Sequence, residues 1–219
     1  MPLFGPLHLA LLAAIAAAAA GLSALCRRRP GAARGVRLAL GWGLAANELI
    51  WFAFRYSHEG LHLWNLPLQL CDLAVWLSVA ACLTLVPWVV EFAYFAGLAG
   101  AGMALLTPDL WSPWPTYPAI YFFLAHGGIV TAAAVLVFGR IRPLRAGAWL
   151  RAYWLLLGWA LLDGVFNWAA KTNYMYLCRK PANPSLLDLL GPWPVYLAGG
   201  ALVGLALFWI LWLPLRPRR

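Results

Sequence analysis

The sequence predicts an all-α polytopic membrane protein: one integral membrane domain over residues 1–219, a bundle of seven transmembrane helices with its N-terminus outside and its C-terminus cytoplasmic. Three observations carry that expectation. Of the 219 residues, 64% are hydrophobic and 11% are charged, a balance that no water-soluble core of this size can hide. Apolar runs long enough to cross a bilayer recur along the whole chain. The basic residues gather between alternate runs.

The runs lie at about 7–26, 36–56, 64–85, 87–107, 118–139, 149–170 and 191–214. The first is rich in alanine, has no Lys or Arg before it and is followed by Arg27, Arg28 and Arg29. That arrangement predicts a retained span and not a cleaved leader, and Leu25 is too bulky for a lipoprotein cleavage site before Cys26. Ser57 to Gly60 ends the second run, Pro87 divides the third from the fourth, and Pro108 to Pro118 precedes the fifth. Arg140 to Arg145 and Lys171 to Pro194 bound the sixth. No internal repeat is visible, so the inverted-repeat plan of many transporters finds no support.

Orientation follows from the bases. Arg27, Arg28, Arg29, Arg34, Arg37, Arg140, Arg142, Arg145, Arg151, Arg216, Arg218 and Arg219 share one side of a seven-span topology. Only Arg55, Lys171, Arg179 and Lys180 fall opposite, which predicts a cytoplasmic C-terminus. Six spans would separate the Arg140 cluster from the C-terminal one. Trp64, Trp111, Trp114, Tyr117, Tyr174, Tyr176, Trp193 and Tyr196 gather at the outer ends as an aromatic belt.

The net charge of +9 is carried in short clusters and not along one polar face, which argues against nucleic acid as a partner. Cys26, Cys71, Cys82 and Cys178 form no CxxC pair and no zinc spacing, so no disulfide framework, metal or cofactor is expected. Membrane lipids are the expected surroundings, and the sequence sets no oligomeric state.

Ionisable groups inside a span are costly and face a partner, water or a substrate. At about 1.5 Å per residue from the expected outer ends, Glu48, His126 and Asp163 lie roughly 12 Å deep, Cys71 roughly 10 Å and Asn167 roughly 6 Å. Four spans thus bring polar groups to one level. Asp163 and Asn167 are four residues apart, and Gln69 and Asp72 three apart, so each pair shares a helical face. Glu91 stands apart near the inner end of the fourth span. Taken singly, such residues most often serve as hydrogen-bond glue between helices, and Cys71 as a small apolar filler. A cysteine and a histidine at matched depth, with carboxylates nearby, are instead the parts of an activated thiol nucleophile.

The segments Leu66-Pro67-Leu68-Gln69-Leu70-Cys71-Asp72 and Phe123-Leu124-Ala125-His126-Gly127-Gly128 resemble those of the YwaF-like bacterial membrane proteins. So do Asn173 to Pro181 and Ser185 to Pro194, the longest of the matching motifs. These proteins are similar to the eukaryotic transmembrane protein 164 family, and the resemblance covers most of the chain from about residue 40. It implies multi-pass residence in a bacterial plasma membrane. It also implies an acyltransferase acting on phospholipid or lysophospholipid, with Cys71 and His126 as the catalytic pair. The position of Gln69 is often His in relatives.

In that reading His126 takes the thiol proton of Cys71, the thiolate attacks a lipid ester, and a lysolipid hydroxyl collects the acyl chain from the thioester. Asp163, or else Asp72, would hold the imidazole tautomer, Asn167, Asn173 or Gln69 would donate to the oxyanion, and Glu48 would support the site. Arg179 and Lys180 would engage a headgroup phosphate. Two rivals remain. One is an ion-coupled carrier using Glu48, Asp72 and Asp163, and the other is an assembly protein without chemistry.

Overall fold

In the computed structural model the described residues are 1–110, 112–181 and 185–216, and among them every regular element is helical. Trp111, Arg218 and Arg219, counted above toward the belt and the charge asymmetry, lie outside the described residues. Seven α-helices follow in order: α1 (Pro6–Arg28), α2 (Ala33–Glu59), α3 (Leu70–Thr84), α4 (Pro87–Leu106), α5 (Tyr117–Phe138), α6 (Ala148–Ala170) and α7 (Val195–Trp212).

Local sequence explains the ends. Proline occupies the first turn of α1, α4 and α5, where its missing N–H leaves no intrahelical bond unmade. Gly60, at φ 74°, closes α2 in a backbone region that glycine enters without steric cost. Two arginines cap helices other than their own. Arg27 donates to the carbonyl of Phe138 at 2.9 Å, and Arg37 donates to the carbonyls of Cys82 and Leu83. Each guanidinium thereby satisfies carbonyls that a helix C-terminus leaves open.

Six helices begin within a few residues of the expected spans, but α3 differs from the run at 64–85. It starts at Leu70, because residues 60–69 fold into a turn around Asn65. That fully buried side chain accepts from the His62 N–H at 2.9 Å and donates to the Gly60 carbonyl at 2.8 Å. With 15 residues, α3 is about 22 Å long, and Cys71 therefore lies in its first turn and not well inside a span.

The core sits where α4 and α5 cross. α4 packs against α3, α5, α6 and α7, while α5 packs against α1, α2, α3 and α4. Glycines permit the close approach. A methyl group at Gly97 would come within 2.7 Å of Ile129 Cγ2, and one at Gly128 within 2.6 Å of Leu44 Cδ2. Ile129 is β-branched and held in one helical rotamer, whereas the end of Leu44 can swing aside. Gly97→Ala is therefore expected to cost about 1–3 kcal/mol and Gly128→Ala less, an order to be read from thermal unfolding in detergent.

The outward surface is apolar. On α6, Trp154, Leu161, Leu162, Val165 and Trp168 are all exposed, more contiguous apolar area than a protein bathed only in water carries. Among the described residues, four helices are long and apolar enough to cross a membrane: α1, α4, α5, and α7 with its short extension to Leu215.

Candidate functional site

Two ends of the bundle differ in character. One carries Arg27, Arg37, Arg145 and Arg151, and is called the arginine end below. The other, the loop end, carries the turn at 60–69 and the segment 171–181.

At the loop end, the segment after α6 is tied to the turn before α3. The phenol of Tyr174 donates to the Leu63 carbonyl at 2.8 Å and accepts from the Leu66 N–H at 2.7 Å. The Met175 N–H donates to Gln69 Oε1 at 2.9 Å, and the Tyr196 hydroxyl donates to the Tyr176 carbonyl. Met175 and Tyr176 have φ of 53° and 54°, consecutive left-handed residues that only a well-tethered turn retains.

Two residues expected near an oxyanion hold this segment instead. Asn167 Nδ2 donates to the Tyr174 carbonyl at 2.9 Å, while its Oδ1 accepts from the Tyr174 N–H at 2.7 Å and from the Thr172 hydroxyl at 2.8 Å. Asn173 Nδ2 donates to the Arg179 carbonyl, and its Oδ1 accepts from the N–H groups of Cys178 and Arg179. Gln69 is different. Its oxygen is fixed by Met175, and its Nε2 has no partner among the described residues, so the amide presents two free donors on its other side.

Cys71, half-buried, is the second residue of α3. Asp72 accepts from the Gln69 N–H at 3.1 Å and so caps that helix. The carboxyl groups of Asp72 and Glu48 are near enough to act electrostatically on the thiol. Glu48 is fully buried; its Oε2 accepts from the Tyr121 hydroxyl at 2.7 Å, and its Oε1 has no partner among the described residues. Asp163, also buried, has an unpartnered Oδ2.

His126 is 6% exposed, and its Nδ1 lies 2.8 Å from the Phe122 carbonyl. A carbonyl can only accept, so Nδ1 carries the hydrogen and Nε2 keeps its lone pair. The carbonyl of Phe122 thus holds the tautomer, the task expected of Asp163 or Asp72. Five residues along α5 from Tyr121, His126 projects about 140° away from it. No hydrogen bond joins Cys71 to His126 among the described residues. What α5 brings to Glu48 is Tyr121.

Of the expected headgroup ligands, Lys180 lies 3.5 Å from Asp188 and stacks over the Tyr196 ring at 5.6 Å. The Ser185 N–H, with Lys180 adding to it, holds the Asp188 carboxyl below the usual carboxylate range. Arg179 is exposed. Among the other thiols, Cys82 is buried at the arginine end beside Arg37, Cys26 is buried in α1, and Cys178 is exposed. Sequence reasoning missed Tyr121 and Asn65, and read Tyr174 as a belt residue without its tether to Leu63 and Leu66. Asn65-Leu66-Pro67 carries a turn signal, but nothing along the chain links it to a phenol more than a hundred residues away.

No curated protein and no solved structure matches the chain. The model of the TMEM164 family matches residues 3–212 of the 219.

Proposed function

The chain belongs to the TMEM164 family, and from that premise we propose a multi-pass enzyme of the bacterial plasma membrane that moves acyl chains between phospholipid and lysophospholipid through Cys71. In this reading the seven-helix bundle crosses the bilayer as a single domain, α3 together with the turn before it, with the arginine end in the cytoplasm. The distribution of bases and the apolar exterior support that topology.

The observation that carries the chemistry is the setting of the thiol. Cys71 is half-buried in the first turn of α3, where backbone N–H groups lack intrahelical acceptors. The free amide donors of Gln69 stand two residues away. They suit an oxyanion forming on an attacked carbonyl.

In this reading His126 Nε2 takes the thiol proton. The thiolate attacks the ester carbonyl, the carbon–sulfur bond forms, and the lysolipid oxygen leaves with the proton from the imidazole. In the second step a lipid hydroxyl attacks the thioester. Its proton passes through the imidazole to the sulfur as the carbon–sulfur bond breaks.

A lipid-like thiol electrophile tests this. It is expected to modify Cys71 before the other three cysteines, and His126→Ala is expected to slow that modification about 100-fold. Equal labelling of Cys71 in the His126→Ala protein would remove the imidazole from the mechanism.

One observation favours a second reading, an ion-coupled carrier. Glu48 Oε1 and Asp163 Oδ2 are buried without partners among the described residues, as carboxyl groups that take up a proton or cation would be. A carrier is expected to show vesicle flux that disappears in Glu48→Gln and persists in Cys71→Ala.

A further inference from the structure

At the arginine end a single buried carboxylate holds two guanidiniums. Glu91, 2% exposed, accepts from Arg145 Nε at 2.8 Å and Arg151 Nη2 at 2.9 Å on Oε1. On Oε2 it accepts from Arg145 Nη2 at 2.9 Å and Arg151 Nε at 3.1 Å. One guanidinium suffices to neutralise the carboxylate. The second leaves a positive charge that no other described acidic side chain balances, since the remaining ion pairs, Arg55 with Glu59 and Lys180 with Asp188, belong to the loop end.

The surplus charge is fixed in place. Both forks are held by the same carboxylate, and Arg151 Nη1 is further tied to the Ala146 carbonyl at 2.8 Å. The connecting turn is anchored by Ile141 and Leu144, which pack on the core, and by the Arg142 N–H donating to the Leu136 carbonyl at 2.9 Å. Arg145 Nη1 has no partner among the described residues, and the two side chains are 51% and 42% exposed. A guanidinium pair already ordered loses little entropy when an anion docks on its free edge.

The surface beside the pair is apolar. Leu150, Trp154 and Leu155 are exposed on α6 next to Arg151, and Trp154 and Leu155 share its helical face. Trp88 is exposed on the first turn of α4, near Glu91. A cationic edge over an exposed apolar wall fits a molecule with an anionic head and a hydrocarbon tail.

We infer that Arg145 and Arg151, held by Glu91, form a binding site for the phosphate headgroup of an anionic phospholipid, whose acyl chain lies along α6. The site is remote from Cys71 and independent of the acyl-transfer reading. Phosphatidylglycerol supplies the phosphodiester, and inorganic phosphate supplies a similar anion without a tail.

The test is lipid titration of the full chain in neutral detergent, followed by native mass spectrometry and thermal unfolding. Phosphatidylglycerol is expected to bind and to raise the unfolding temperature, while phosphatidylcholine and inorganic phosphate do neither. Arg145→Gln leaves Arg151 on Glu91 and is expected to weaken phosphatidylglycerol about tenfold. Arg145→Lys, which keeps the charge without the fork, is expected to lie between them, and Arg28→Gln to bind as the unaltered chain does. Equal losses in Arg28→Gln and Arg145→Gln would overturn the site in favour of a general surface field. Binding of inorganic phosphate as tight as that of the lipid, or of phosphatidylcholine as tight as phosphatidylglycerol, would overturn the lipid assignment.

Discussion

Replacing Cys71 with alanine is expected to lower acyl transfer by about 1,000-fold or more while leaving the fold intact. The sulfur makes no hydrogen bond among the described residues and is half-buried, so its removal strands no polar partner. The stability change is therefore expected to stay within about 1 kcal/mol. Serine keeps the shape but is a far weaker nucleophile without an activated thiolate, and its activity is expected to be as low. Transfer of a labelled acyl chain between lipids measures turnover, and a hydroxylamine-sensitive acyl group on the protein reports the thioester. An alanine variant with full activity would end the covalent mechanism and leave the carrier reading standing.

The second large effect concerns stability. Converting Arg145 and Arg151 together to alanine leaves Glu91 buried without a counterion. Stranding such a charge costs roughly 3–5 kcal/mol, and solvent near the half-exposed guanidiniums favours the lower end of that range. Either single replacement leaves the other fork in place, so the two effects are expected to be strongly non-additive. Adding Glu91→Leu to the double variant removes the stranded charge and is expected to restore most of the loss. Chemical denaturation in mixed micelles measures all four proteins. A double variant no less stable than the sum of its singles would show that Glu91 is already solvated.

Much of the helical plan was legible because apolar run length and proline position are local signals. Pro87 opens α4 and Pro118 sits in the first turn of α5, as their places in the sequence suggest. The start of α3 was not legible. Leu66, Leu68 and Leu70 continue the apolar run, and only the buried Asn65 side chain, closing a turn on Gly60 and His62, shows why the helix waits until Leu70. That delay moves Cys71 from roughly 10 Å inside the expected span to the first turn of the helix.

The site was legible in its residue types and less so in its pairings. Glu48 was expected to belong to the polar layer, but its partner Tyr121 lies in an apolar, aromatic run with nothing to distinguish it from its neighbours. Asn167 and Asn173 have the right chemistry for an oxyanion and spend it on backbone groups of the following loop. Arg145 and Arg151 read as topology signals in the sequence, whereas in three dimensions they are the counterions of Glu91.

The tethers of the Tyr174–Tyr176 turn bear on how the two ends of the molecule respond to strain. α3 and α6 both pack against α4, but at the loop end six hydrogen bonds link the turn to Leu63, Leu66, Gln69, Asn167 and Tyr196. The join between α3 and the segment after α6 is therefore set by polar tethers, and the girth of the bundle by interlocked hydrocarbon. Polar solutes that compete for hydrogen bonds can loosen the first without disturbing the second, so the tethered turn and the packed helices are separately adjustable parts of one fold.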